Sequence, residues 1–141
     1  ASASVTELQR ELAGYIGTTI GTLVWLENES LMDAATAVSG SGPAYFYLLM
    51  ELIESSAIKF GFSKEVANKL AVTTALGAAR LADTVGSPLV DLRKQVTSAG
   101  GTTAAALEVL EEAQIRDIFH RALEAARNRS AELGEPDSSD D

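Results

Sequence analysis

The chain has 141 residues, 20 acidic and 11 basic side chains and a formal charge of −9, so it suits one domain with its own core and argues against a nucleic-acid partner, which needs a concentrated basic surface. A composition of 46% hydrophobic and 22% charged residues is that of an ordinary globular protein, and the lack of cysteine removes disulfides and thiol nucleophiles. No run of roughly 18 apolar residues suggests a membrane span and no signal peptide opens the chain, so a cytoplasmic protein in a reducing compartment is the expectation.

Taken in chain order, residues 6–16 place Leu8, Leu12, Tyr15 and Ile16 at helical spacing, with Thr6 or Ser4 available as N-cap. The apolar run Thr22-Leu23-Val24-Trp25-Leu26 then reads as a buried strand. One helix and one strand make no sheet. Residues 1–28 therefore read as the closing α–β unit of an α/β domain whose other strands lie outside this chain, which makes the chain read as a fragment.

From Ser30 onward the pattern is helical. Ser30 and Asp33 predict a capping-box-like start for a helix over 31–38, with Asp in place of the usual Glu. Ser39-Gly40-Ser41-Gly42 is expected to break that helix. Pro43 falls in the first turn of the next, where its missing N–H costs nothing. Residues 44–60 are apolar almost all round, with Glu51, Glu54, Ser55 and Lys59 on a narrow polar stripe. A helix of that kind is buried on most sides, which a small monomer can hardly provide.

Gly61 ends that helix, and Ser63 caps one over 64–85. Its Ala67, Ala71, Ala75, Ala78 and Ala82, with Gly77, allow close helix approach. Further helices follow at 88–95, 104–112 and 115–133. The last places Ile115, Phe119, Leu123 and Ala126 on one face, with Arg116, Arg121, Glu124 and Arg127 among its outward positions. Gly134 ends it. Glu135, Asp137, Asp140 and Asp141 then make residues 135–141 an acidic tail expected to be disordered. Residues 29–134 thus form an all-helical unit whose central helices need a partner, and an intertwined homodimer is the economical expectation.

Most catalytic constellations are absent. His120 is the single histidine, so zinc and Ser/His/Asp chemistry lack their ligands and bases, and no metal is expected. Glu108, Glu111 and Glu112 read as a solvated helix face, and Glu27 and Glu29 as a solvated loop. Two segments stand out. Residues 96–103, VTSAGGTT, put two glycines and four hydroxyl side chains between two helices. They can serve as paired helix caps, or as a receptor for a carboxylate or phosphate at the free amides of a helix start. Residues 39–45, SGSGPAY, are either a tight connector with an N1 proline or a close backbone approach to a ligand. No strand–GxGxxG–helix unit occurs in the chain.

These two segments, as Thr36-Ala37-Val38-Ser39-Gly40-Ser41-Gly42-Pro43-Ala44-Tyr45 and Val96-Thr97-Ser98-Ala99-Gly100-Gly101-Thr102-Thr103, resemble the pyrroline-5-carboxylate reductase family. The likeness extends through Pro88, Leu92 and Val96 and through Ala106-Leu107, and spans residues 5–134. It implies a mainly α fold: a helical dimerisation domain of the 6-phosphogluconate dehydrogenase C-terminal-like type, preceded by the residual α–β unit of a Rossmann domain. It also implies reduction of the C=N bond of 1-pyrroline-5-carboxylate to L-proline by NADPH or NADH, with the cofactor held mainly by a domain this chain lacks. Self-association follows as a homodimer or a ring of dimers, with no nucleic acid or membrane as partner.

Carried over by position, the resemblance assigns Ser98, Gly101, Thr102 and Thr103 to the substrate carboxylate. Thr103 also falls near the ring nitrogen as the catalytic residue. Thr36 falls beside the substrate, and Ser41, Gly42 and Pro43 lie by the nicotinamide and the ring. Two positions depart from the family pattern: Ala99 replaces a usual proline, which loosens the loop without changing its donors. Asp83-Thr84-Val85-Gly86 also lacks the glutamate many members carry, so an altered substrate preference is one reading. A non-catalytic helical oligomerisation module and a reductase for a related cyclic imine are the alternatives.

Overall fold

The computed structural model describes residues 4–134, and every regular element among them is helical. The acidic tail expected at 135–141 lies outside the described residues. Helix α1 (Glu7–Ile20) starts on Thr6. Its hydroxyl accepts from the Gln9 N–H at 3.3 Å while the Gln9 side-chain oxygen accepts from the Thr6 N–H at 2.9 Å. This reciprocal cap gives two amides a partner before the helix ladder begins.

Residues 22–26 differ from the expected strand. A strand exists by pairing its backbone with a neighbour, and no second extended segment lies among the described residues. The segment instead packs back on α1. A Cβ on Gly17 would lie 3.0 Å from Leu23 Cδ1, and the Arg10 guanidinium sits 4.9 Å from the centroid of the Trp25 ring. Leu8, Leu12, Tyr15 and Ile16 remain exposed along α1.

A 3₁₀ turn (Glu29–Leu31) leads into α2 (Met32–Ala35). The capping box expected of Ser30 and Asp33 does not form. Asn28 is the cap residue and makes no side-chain cap, while the Asp33 carboxylate accepts a hydrogen bond from Ser130 Oγ at 2.8 Å. Nor do residues 39–42 break the helix. Thr36–Gly40 form a π turn, Ser41 keeps helical angles (φ −84°, ψ −17°), and α3 (Gly42–Lys59) follows at once. Pro43 supplies the physical reason. It has no N–H to give the carbonyl four residues back, Ser39, and its ring crowds that carbonyl. One extra residue in the preceding turn relieves the crowding and keeps the chain helical.

Gly61, at φ +101°, ends α3, and Ser63 opens α4 (Lys64–Val85) by accepting from the Val66 N–H at 3.3 Å. The α3–α4 hairpin closes on small residues, with Ala57, Ala67 and Ala71 buried. Asn68 Nδ2 donates to Glu54 Oε2 across the seam at 3.3 Å. Helices α5 (Leu89–Gln95), α6 (Thr102–Glu112) and α7 (Ile115–Gly134) complete the chain. Helix α7 packs on α2 and the π turn, and α6 packs on α7. Ile115, Phe119, Leu123 and Ala126 are half-buried along one face of α7, as their spacing predicts.

Among the described residues the buried apolar side chains are all alanines: Ala37, Ala57, Ala67 and Ala71. The large apolar side chains face outward instead, among them Phe46, Tyr47, Leu52 and Ile53 on α3 and Val72 and Leu76 on α4. The chain exposes 11595 Å², whereas a compact monomer of this mass exposes roughly 7000 Å². Faces this extended and apolar belong against another surface.

Candidate functional site

Helix α5 ends at Val96, and the Thr97 hydroxyl folds back onto the Arg93 carbonyl at 2.6 Å. Ser98 then opens a tight turn: its carbonyl accepts from the Gly101 N–H at 3.0 Å, with Gly100 at φ +70° in the third position. That angle is what a type II turn demands there and what glycine supplies without a steric cost. Gly101 does not share it. At φ −83° and ψ 171° it is extended backbone, and it is small for a different reason. A Cβ there would run into Ser98 Oγ and lie 3.2 Å from the Ser98 carbonyl oxygen. The pair of glycines therefore does two jobs, one angular and one spatial.

The turn delivers the chain into α6 at Thr102. Gly101 is the cap residue and offers no side-chain acceptor. The Gly101 amide is spent in the turn, and the Ala105 N–H donates to the Gly101 carbonyl at 3.1 Å. The amides of Thr102, Thr103 and Ala104 therefore have no partner among the described residues, and the Thr102 and Thr103 hydroxyls are likewise unengaged. Thr103 and Ala104 are half-buried, Thr102 and Ser98 exposed. Three free N–H groups at the positive end of a helix, with hydroxyls beside them, make a receptor for a carboxylate. Of the expected set, Gly101 contributes room, and its amide donates to the Ser98 carbonyl within the turn.

The loop overhangs an open groove of about 470 Å³, lined by Arg93, Gly100, Gly101, Ala104, Glu108 and Glu111 among others. Glu111 is more than one of a solvated face. Arg116 grips it from the start of α7, with Nε donating to Oε2 at 2.9 Å. The hydrogen bonds from Arg116 hold the Glu111 carboxyl below its ordinary value of 4.5, and the same bonds push the Arg116 guanidinium up. Between them lies Gln114 at φ +56°, a left-handed position occupied by a residue with a Cβ. Sequence reasoning missed this clamp because its spacing crosses a helix end. His120 is an exposed residue 3.7 Å from Glu124.

Thr36 opens the π turn and donates its hydroxyl proton to the Met32 carbonyl at 3.0 Å, so its side chain offers lone pairs. The Ser41 N–H reaches back five residues to the Thr36 carbonyl at 2.9 Å. Gly42 is buried, yet nothing lies within 4 Å of where its Cβ would stand, and Pro43 presents its ring at the start of α3. Tyr45 Oη donates to the Ala37 carbonyl at 3.2 Å. Sequence reasoning gave Ser130 no part in this region, read Asp33 as a local helix cap, and placed Tyr45 in the 39–45 segment without a partner.

The two segments stay separate within the chain. No hydrogen bond joins residues 36–43 to residues 98–103 among the described residues, and the groove under the loop is lined by none of the former. No group of three or more His, Asp or Glu that could hold a metal occurs among the described residues, and no helix of them is long and apolar enough to cross a membrane.

A helical domain with apolar faces this exposed fits the class of domains that pair through such faces. The pyrroline-5-carboxylate reductase dimerisation family matches residues 29–133, and the chain belongs to that family. It is 44% identical over 135 residues to a pyrroline-5-carboxylate reductase of Pseudomonas aeruginosa, an overlap that takes in 96% of this chain and 50% of that protein. The structure of a pyrroline-5-carboxylate reductase from Coxiella burnetii superposes with a TM-score of 0.91 at 42% identity, over 96% of this chain and 50% of that one. A pyrroline carboxylate reductase from Plasmodium falciparum, solved with NADP bound, superposes with a TM-score of 0.85 at 30% identity, over 95% and 51%. The chain spans about half the length of the relatives it matches.

Proposed function

We propose that this chain is the dimerising and substrate-binding half of a pyrroline-5-carboxylate reductase, which reduces 1-pyrroline-5-carboxylate to L-proline with NADPH or NADH. The observation that carries the reading is the start of α6, where the Thr102, Thr103 and Ala104 amides are unpaired among the described residues, directly after the turn that Ser98 opens. A ring carboxylate bound there accepts from those amides and from the Thr102 and Ser98 hydroxyls. The Thr103 hydroxyl, one position deeper and half-buried, then reaches the ring nitrogen. Reduction forms one C–H bond at the imine carbon and one N–H bond at nitrogen. Holding nitrogen and carboxylate together fixes the ring for both events.

The sequence has no glycine-rich strand–turn–helix motif for a dinucleotide, and Ser41, Gly42 and Pro43 offer an uncharged edge for the nicotinamide of a cofactor held elsewhere. When bound to the whole protein, the reduced nicotinamide supplies the hydride. Residues 1–28, with an apolar stripe exposed on α1, suit the last α–β unit of the domain that binds it. The separation of the two segments within one protomer favours a site completed between copies. The exposed faces of α3 and α4 supply the surface for that pairing.

The test joins this chain to the dinucleotide-binding domain of the Pseudomonas aeruginosa relative and measures imine reduction. Turnover is expected, with kcat falling roughly a hundredfold in Thr103→Ala while the dimer persists. A dimer with neither turnover nor a response to proline would make the chain an oligomerisation module. Faster reduction of another cyclic imine would assign it to that substrate.

A further inference from the structure

π turns are rare and occur mostly as single insertions inside α-helices, often at functional sites. Pro43 explains why the chain needs one before α3, but a proline does not dictate how the widened turn is oriented. Two tertiary hydrogen bonds do. Ser130 Oγ, on α7, donates to Asp33 Oδ1 at 2.8 Å and so ties together residues 97 apart in sequence, in a partly buried position. Asp33 stands at the entry to the turn, where its own carbonyl accepts from the Thr36 N–H. Tyr45 Oη reaches back from the first turn of α3 to the Ala37 carbonyl inside the π turn, also partly buried. One bond fixes the entry and the other the middle, and Thr36 lies between them.

We propose that Tyr45 and the Asp33–Ser130 pair are positioning residues, which hold the π turn so that Thr36 and the edge formed by Ser41, Gly42 and Pro43 meet the ring being reduced. The inference rests on the reductase reading above and deepens it. None of the three needs to touch the substrate. Their hydroxyl and carboxyl groups act through the backbone that carries Thr36. The carboxylate receptor at α6 is built from other residues, so loss of these bonds alters the geometry of the reacting ring more than the grip on its carboxylate.

The experiment uses the chain joined to the dinucleotide-binding domain and compares Tyr45→Phe, Ser130→Ala and Ser130→Thr. In the first two, kcat is expected to fall roughly tenfold with little change in KM for the imine. Ser130→Thr keeps the hydroxyl and is expected to restore the rate. Exchange of the Ser41 amide hydrogen, which bonds to the Thr36 carbonyl, is expected to speed up in the Tyr45→Phe and Ser130→Ala variants and to stay slow in Ser130→Thr. Lower melting temperatures with unchanged kcat in both of the first two variants would overturn the proposal and leave the bonds a purely structural role. No turnover by the unsubstituted protein would overturn the reductase reading and this role with it, and the Ser41 exchange data would then report only on the turn.

Discussion

The two candidate half-sites are built in opposite ways. The loop over residues 96–101 is made by local chain chemistry: one glycine at φ +70°, one glycine that leaves room for Ser98, and a single turn hydrogen bond of 3.0 Å. The π turn of Thr36–Gly40 is held from a distance, by Tyr45 on α3 and by Ser130 near the C-terminal end of α7. The first can be remade by any chain that keeps its turn residues. The second depends on the tertiary structure around it, so damage to the helical core should reach one half-site and spare the other.

The largest expected effect tests that asymmetry. Ala67 is 0% exposed in the α3–α4 seam, and Ala67→Phe should cost about 3 kcal/mol of stability, read by denaturant unfolding. Amide exchange should then rise across α3 and the π turn, with the amides of 98–103 unaffected. Equal loss of protection in both segments would erase the distinction. Next comes Gly100→Ala, which forces a Cβ into the left-handed region at a cost of about 1–2 kcal/mol and is expected to disturb the loop while leaving the Ser41–Thr36 hydrogen bond unchanged. Chemical shifts of the two segments separate these outcomes.

A gain is expected at the α6–α7 corner. Gln114→Gly removes the penalty of a side chain at φ +56° and should raise stability by about 1 kcal/mol, visible as a higher melting temperature. The smallest effect is electrostatic. The Glu111 carboxyl is held below 4.5 in the folded chain by its hydrogen bonds from Arg116. The contribution of this pair is therefore complete above the unfolded value and is lost as pH falls through the lower folded one. Both groups are exposed, so the dependence should be shallow. Glu111→Gln should flatten it in melting curves taken from neutral pH downwards, and a parallel curve would assign the acid sensitivity elsewhere.

The same contrast separates what the sequence makes legible from what it does not. The caps of Thr6 and Ser63, the end at Gly61 and the apolar stripe of α7 follow from neighbouring residues, and all are seen. So does the start of α6 after two glycines, although their separate roles needed backbone angles. The helix break expected at 39–42 failed because glycine-rich sequence permits a break without requiring one, and Pro43 can be accommodated by a π turn. Asp33 was misassigned for a related reason. A carboxylate three residues past Ser30 fits a local cap, but Ser130 claims it, and a partner 97 residues away leaves no mark in local spacing. The strand expected at 22–26 needs neighbouring strands that no described residue supplies.

The central claim is that the start of α6 receives the carboxylate of the substrate and product. Titration of this chain with L-proline, followed by amide chemical shifts, tests it most directly. Saturable shifts centred on Thr102, Thr103 and Ala104 are expected, with the amides of α1 unmoved. Saturable binding that leaves those three amides unshifted, or shifts them no more than α1, would contradict it.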